Sequence, residues 1–218
     1  MKILIVPAIA VLFAWSFSSC SSSSGPATFC DTVCLKDSIK FIKTDHPLQP
    51  YVYISANNCL ADTLTWSYDG MGANRKLGIE DLFGAAVRLN KNAINCYIKD
   101  TSYAWLAFND CSNERGYLLK IPFNKRDKME RKSSGINSFD PKFSVADGLI
   151  AYTDKGNIFI EDIDNGKSAT MTFGQPVDID YDNIHQTIDS VNITRTHAWV
   201  KINIDNEWKE IEKNIELK

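Results

Sequence analysis

The amino-acid sequence predicts an all-β fold built from four similar units. Helical periodicity is almost absent, whereas short alternating runs rich in Ile, Val, Tyr, Phe, Trp and Thr are separated by Gly, Asn and Asp. The runs recur in one order, strand, turn, strand, turn, strand, at a spacing of about fifty residues. The composition, with 44% hydrophobic and 23% charged residues, excludes disordered, collagen-like and multi-pass membrane chains.

The second strand of each unit marks the repeat. Its start recurs after 52, 46 and 48 residues, at Tyr51, Tyr103, Leu149 and His197. We therefore expect a single all-β domain over 30–218, with repeats near 38–89, 93–134, 141–174 and 191–217.

Each unit is predicted to contain three well-marked strands and a weaker fourth one. The three strands are, unit by unit, 38–44, 51–55 and 63–70; 93–100, 103–108 and 117–123; 141–146, 149–153 and 157–163; and 191–196, 197–202 and 207–213. The fourth is expected at 84–89, 129–134, 168–173 and 214–217. Residues 78–84 are predicted to form a single helical turn.

Four strands per unit at this spacing are typical of a β-propeller blade. In the third unit the turns Asp154-Lys155-Gly156 and Asp164-Asn165-Gly166 join the strands, and this unit resembles the blades of WD40-like bacterial propellers. The resemblance implies a four-repeat, β-propeller-like fold. The strand pattern also allows an antiparallel β-sandwich or a partial propeller completed by dimerisation.

The N-terminus carries an export signal. Its apolar run from Ile3 to Trp15 contains Pro7 and is too short to cross a bilayer, which needs about 20 residues. Phe17, Ser18, Ser19 and Cys20 follow, and this segment resembles the signal of bacterial lipoproteins. An ordinary secretory signal or an uncleaved anchor is the alternative.

The lipoprotein resemblance implies that residues 1–19 are removed and that Cys20 carries a diacylglycerol and an acyl chain such as palmitate. Several acyl chains make membrane attachment durable. Residues 20–29, rich in serine, are predicted to form a polar tether. The protein is then expected on the bacterial cell envelope, with the outer membrane as the expected site.

Five further cysteines are candidates for disulfide bonds, because exported proteins mature in an oxidising compartment. Two of them occupy equivalent hairpin loops, since Tyr and Cys lie eight residues apart in both 51–59 and 103–111. The two that follow the tether would link it to the body of the domain. An odd number leaves at least one thiol unpaired or bonded to another chain. The candidates are Cys30, Cys34, Cys59, Cys96 and Cys111.

One acidic segment has the spacing of a calcium loop. Asp178, Asp180, Asp182 and Asp189 fall at positions 1, 3, 5 and 12, where oxygen ligands converge on one ion. Position 6 is Asn183 rather than glycine, and the alternation of acidic and apolar residues also suits an edge strand. Calcium is the one cofactor that the sequence suggests, and weakly; otherwise none is expected.

No catalytic residue is predicted, and we expect a protein that is not an enzyme. The histidines His46, His185 and His197 belong to no known catalytic motif. The basic residues of 125–132 are expected on a solvated surface. The strand tryptophans Trp66, Trp105, Trp199 and Trp208 are expected to pack in the core or between units rather than to stack on sugars.

The sequence therefore favours a lipid-anchored envelope protein that acts as a binding or scaffolding module. Its net charge of −3 provides no positive surface for nucleic acid. The expected partners are the membrane, through the lipid anchor, and an envelope protein or glycan. The alternatives are an envelope glycan-acting enzyme or its accessory subunit, and a purely structural envelope lipoprotein.

Overall fold

The computed structural model describes Cys30 and residues 34–218. This part of the chain is all-β, as predicted, and forms four small sheets. Its helices are too short to span a bilayer, since the longer one has five residues. The predicted signal segment 1–19, the tether 20–29 and the lipidated Cys20 lie outside the described residues.

The first sheet is an antiparallel meander in the order β1-β2-β3-β4. A two-residue turn, in which Asn58 and Cys59 both have positive φ, joins β2 to β3. The strands are β1 (Ser38–Ile42), β2 (Tyr51–Asn57), β3 (Leu60–Ser67) and β4 (Arg75–Gly78).

The fourth strand of the first unit was predicted wrongly at 84–89. A glycine turn, with Gly70 and Gly72 at positive φ, returns the chain directly after β3, so β4 forms at Arg75–Gly78. The single helical turn is confirmed as α1 (Ile79–Phe83). Residues 84–89 form a loop whose apolar Val87 and Leu89 are buried, which explains their strand-like pattern.

The second sheet repeats the first and agrees with the prediction in all four strands. Its order is β5-β6-β7-β8, with every pair antiparallel. The strands are β5 (Ile94–Ile98), β6 (Tyr103–Asn109), β7 (Gly116–Pro122) and β8 (Glu130–Lys132).

The first strand of the third unit does not join its own sheet. β9 (Phe143–Val145) pairs in parallel with β13 (Ile188–Ile193), a strand of the fourth sheet. The third sheet therefore has three strands, and β10 is left at its edge. These strands are β10 (Leu149–Asp154), β11 (Asn157–Asp162) and β12 (Ser168–Met171).

The fourth sheet has the order β15-β14-β13-β9. The predicted strand at 214–217 does not form: the third strand of this unit continues to Asn214, and Lys218 exchanges backbone hydrogen bonds of 2.9 and 3.1 Å with Ser168 of β12. A 3-10 turn, Ile184–Gln186, precedes this sheet. The strands are β13 (Ile188–Ile193), β14 (His197–Ile204) and β15 (Glu207–Asn214).

Consecutive sheets pack face to face. One apolar core lies between the first and second sheets and contains Ile54, Leu64 and Phe108. Another lies between the third and fourth and contains Ile160 and Val200. A smaller cluster joins the second sheet to the third. Within residues 34–218 no hydrophobic cluster joins the first sheet to the fourth. The structure therefore shows four sheets that pack in chain order. Their closure into a propeller ring stays a prediction.

Candidate functional site

Two disulfides tie the N-terminal end of the domain to equivalent hairpin loops. Cys30 is bonded to Cys111 after β6, and Cys34 is bonded to Cys59 in the β2–β3 turn. The two Cα–Cα distances are both 5.1 Å, within the range that a disulfide requires. These pairs fit the predicted disulfide use, and they link Cys30 and Cys34 to the loops of the first two sheets.

Cys96 is the remaining thiol and is free in the described structure. It lies on β5, half-buried, and packs against the core between the first two sheets. Burial raises the pKa of the thiol well above its ordinary value, because a thiolate there would lose its hydration. The neutral thiol is a weak nucleophile, which argues for packing rather than for redox chemistry at this position.

The four predicted calcium ligands do not share one centre. Asp182 accepts hydrogen bonds from Arg115 at 2.8 Å and from Asn113 at 3.2 Å. Asp189 pairs with Lys142 at 3.0 Å. Asp178 and Asp180 line a groove of about 700 Å³, and no strand forms at 178–182, so the edge-strand alternative is wrong.

Within the described range no group of three His, Cys, Asp or Glu side chains is arranged to hold a metal ion. The carboxyls whose pKa departs from the ordinary value are all shifted downwards. In Asp189 the hydrogen bond from Lys142 is the main cause, and in buried Asp162 it is the hydrogen bond from Arg195. The pKa values of Asp100 and Asp180 are also lowered, so none of these four carboxyl groups suits a general acid at neutral pH.

A buried carboxylate and a histidine join the loop before β9 to the 3-10 turn. The Nε2 atom of His185 lies 2.6 Å from Asp140 Oδ2, and its Nδ1 atom lies 3.1 Å from the carbonyl oxygen of Ile188. Both ring nitrogens therefore face acceptors, which suits the protonated imidazole. The hydrogen bond to Asp140 raises the pKa of His185 above 6.5, against the opposing effect of burial.

This pair should make stability depend on pH. Because folding raises the pKa of His185, its contribution is complete below the unfolded value of 6.5 and is lost as pH rises through the folded value. We expect His185→Gln to cost about 1 kcal/mol more at pH 5.5 than at pH 8.5 in urea unfolding. His197→Gln, at the exposed end of β14, is the control, and an equal cost for His185→Gln at both pH values would contradict the assignment.

The basic residues of 125–132 lie on the surface, as predicted. Lys125, Arg126, Lys128 and Arg131 are exposed, and Lys132 lies over the ring of Tyr152 at 4.7 Å. The prediction that the strand tryptophans pack in the core or between units is confirmed for two of the four. Trp66 and Trp105 are buried between sheets, but Trp208 is 47% exposed on the outer face of the fourth sheet, and Trp199 is half-buried on the same face.

A cavity that we name the Trp105 pocket lies between the second and third sheets. Its volume is about 490 Å³, within the range of small-molecule sites. One wall is the face of the second sheet that carries Tyr97, Trp105 and Leu118, and the opposite wall is formed by Phe139 of the loop 136–139 and by residues 145–150.

The pairing of β9 with the fourth sheet explains why this cavity exists. Since β9 joins the fourth sheet, β10 is an edge strand. The segment 134–136 covers only the C-terminal half of β10. The backbone N–H of Ile136 donates to Ala151 at 2.8 Å, and that of Thr153 donates to Ser134 at 2.9 Å. The cavity lies beside the first two residues of β10, Leu149 and Ile150.

Trp105, a residue of the pocket wall, has an unused hydrogen-bond donor. Trp105 is 2% exposed, and its buried indole Nε1–H has no partner. The indole of Trp66, by contrast, donates to the carbonyl oxygen of Pro122 at 2.9 Å. An unsatisfied buried donor costs about 1–3 kcal/mol. The amide of Asn137, which also lines the pocket, is already used, since it donates to Phe108 at 3.0 Å.

Sequence reasoning did not find this site. Trp105 was predicted only as packing, which it also provides: Lys120 lies over its ring at 5.3 Å. The alternating pattern of β6 places Trp105 on the face opposite Leu106, but it does not show whether the indole N–H has a partner. No sequence signal marks β9 as belonging to another sheet.

The fold and the site together define the class of this protein only as all-β, with four small sheets and an apolar cavity of ligand size. No family model, no curated protein and no solved structure matches the chain.

Proposed function

We propose that the protein is an exported, lipid-anchored binding module of the bacterial cell envelope. Its ligand site is the Trp105 pocket, and its ligand is a small, largely apolar molecule that carries one uncharged hydrogen-bond acceptor. The observation that carries this proposal is a largely apolar cavity of about 490 Å³ whose wall includes Trp105, a residue with a buried, unpartnered N–H.

The pocket lining supports this choice of ligand chemistry. Tyr97, Phe139 and Leu118 offer aromatic and aliphatic contact. Burial of the apolar part of a ligand against them stabilises the complex by about 25 cal/mol per Å² of apolar surface. A ligand oxygen that accepts from Trp105 would remove the desolvation cost of that donor. Asp147 lies at the pocket wall and disfavours an anionic ligand.

The disulfides support export, because such bonds persist in oxidising compartments. The bond between Cys30 and Cys111 ties Cys30, the residue that follows the proposed tether, to the folded body. Attachment at Cys20 would then hold the pocket close to the membrane. Membrane fractionation tests this part separately: the Cys20→Ala chain should lose its acyl label and leave the membrane fraction.

The propeller-like arrangement is also part of the proposal. Each sheet packs on its neighbour along the chain, as blades do, and the pocket lies between two such sheets. Ligand sites are common at such junctions between structural units.

A pair of matched probes tests the pocket. We expect the full chain in detergent micelles to bind 2-acetylnaphthalene, which carries a carbonyl acceptor, more tightly than 2-ethylnaphthalene, which carries none. Trp105→Phe keeps the apolar wall and removes the donor, so it should weaken acetylnaphthalene binding about fivefold and leave ethylnaphthalene unchanged. Equilibrium dialysis measures both affinities.

Two tryptophan insertions control for the site and for partition into detergent. Ala107→Trp fills the pocket and should abolish binding of both probes, whereas Ala85→Trp lies in an exposed loop and should bind like the parent chain. Partition into the micelles is the same for all variants and cancels. Equal uptake by the Ala107→Trp and parent chains would refute the pocket as the ligand site.

A further inference from the structure

The stack of sheets leaves one unpartnered face at each end. At the first sheet this outer face consists of alternate residues of β1 to β4: Lys40 is in register with Tyr53, and its amine lies 4.4 Å from the ring centre of Tyr51. Ile42 is 38% exposed on the same face. Lys76, which is in register with Thr65, adds a second positive charge. Asp62 accepts a hydrogen bond from the hydroxyl of Ser55 at 3.1 Å on this face, so the two lysines leave it net positive.

At the fourth sheet the outer face is aromatic and acidic. The alternating burial of β14 places Trp199 and Lys201 outward, where they are in register with Glu212 and Glu210 of β15. Trp208 adds the most exposed large apolar side chain of the described range. Lys142 and Lys201 share the carboxylate of Asp189, at 3.0 and 3.5 Å, and the two glutamates then leave this face net negative.

The two faces are complementary in chemistry. Each presents aromatic side chains, but one carries Lys40 and Lys76 and the other carries Glu210 and Glu212. Contact between the two faces would bury apolar surface and bring opposite charges together, whereas contact of either face with its own copy would bring like charges together. The chemistry therefore favours a contact between different faces of two copies.

We propose that a second copy of the chain covers both faces. The outer face of the first sheet in each copy packs on the outer face of the fourth sheet in the other copy, which closes a ring of two chains. The sheet-on-sheet packing that already joins the four sheets of one copy is thereby continued around the dimer. Two equivalent contacts close the ring, whereas a single contact of this kind would propagate as a filament.

Charge reversal at the two faces tests the proposal by sedimentation velocity of the full chain in density-matched detergent. The parent chain should sediment as a dimer. Lys40→Glu with Lys76→Glu, and separately Glu210→Lys with Glu212→Lys, should each weaken dimerisation about tenfold or more. An equimolar mixture of these two variants should recover the dimer, because one contact then joins two reversed faces and the other joins two unchanged faces.

Substitutions away from the faces and at their aromatic contacts complete the test. Lys125→Glu with Lys128→Glu, in an exposed loop, should leave the dimer unchanged, and Trp208→Ala should weaken it. Near-ultraviolet circular dichroism confirms that each variant is folded. A parent chain that stays monomeric, a mixture that fails to recover the dimer, or species that keep growing with concentration would each overturn the proposal.

Discussion

Replacing Cys30 and Cys111 together with serine should lower the free energy of unfolding by about 4.5 kcal/mol. The bond spans 81 residues, and a cross-link over a loop of that length removes a large part of the conformational entropy of the unfolded chain. Exchanging both cysteines avoids a free thiol that could pair with Cys96. Urea unfolding at a fixed pH measures the effect.

Local contacts should add to this loss. Cys30 and Cys111 pack with Ala93 and Phe139, and the amide of Asn90 donates to the carbonyl oxygen of Cys30 at 2.6 Å. Phe139 also lines the Trp105 pocket, so we expect the same variant to bind the naphthalene probes more weakly.

The second disulfide provides the matched control. Cys34 and Cys59 are 25 residues apart, so their joint replacement with serine should cost about 3.5 kcal/mol, less than the longer loop. A larger cost for the short loop than for the long one would show that native packing, rather than the unfolded chain, determines the effect.

Gly116→Ala should destabilise the protein by about 3 kcal/mol. Gly116 begins β7, and a Cβ atom there would overlap the carbonyl oxygen of Gly135 on the neighbouring segment. The backbone N–H of Gly135 donates to Gly116 at 2.8 Å, so the two backbones cannot separate without losing this hydrogen bond. Urea unfolding measures the loss, and unchanged stability would contradict the close approach.

Gly135→Ala tests the same junction from its other side. Its nearest neighbour would be Leu118 Cγ at 3.1 Å, a side-chain atom that can move, so we expect a cost of about 1 kcal/mol. Since residues 134–136 cover the edge of β10 next to the Trp105 pocket, Gly116→Ala should also weaken probe binding more than Gly135→Ala does.

The features predicted correctly depend on neighbouring residues. The predicted turn at Lys155-Gly156 has both central φ values positive, a conformation that glycine favours. The alternation of β14 matches its alternating burial over eight residues. The eight-residue spacing of tyrosine and cysteine placed Cys59 and Cys111 in equivalent loops, and both loops hold a disulfide.

The features missed depend on residues that are distant in the chain. The apolar pattern of 84–89 suits burial in a loop as well as a strand, because Val87 and Leu89 fill the core between the first two sheets. β9 has a strand pattern, but that pattern does not specify its partner. The spacing of Asp178 to Asp189 suggested one metal centre, whereas Arg115 and Lys142 bind two of these carboxylates separately.

The sequence by itself determined most of the strands, some of the turns and the cysteines available for disulfides, because side-chain alternation and turn conformation are properties of a few adjacent residues. Only the tertiary structure decided that β9 joins the fourth sheet, that β10 becomes an edge strand, that Trp105 lines a cavity and that its N–H has no partner. These outcomes depend on which surfaces bury one another across more than forty residues, and the free energy of that burial is shared among side chains that no local pattern brings together.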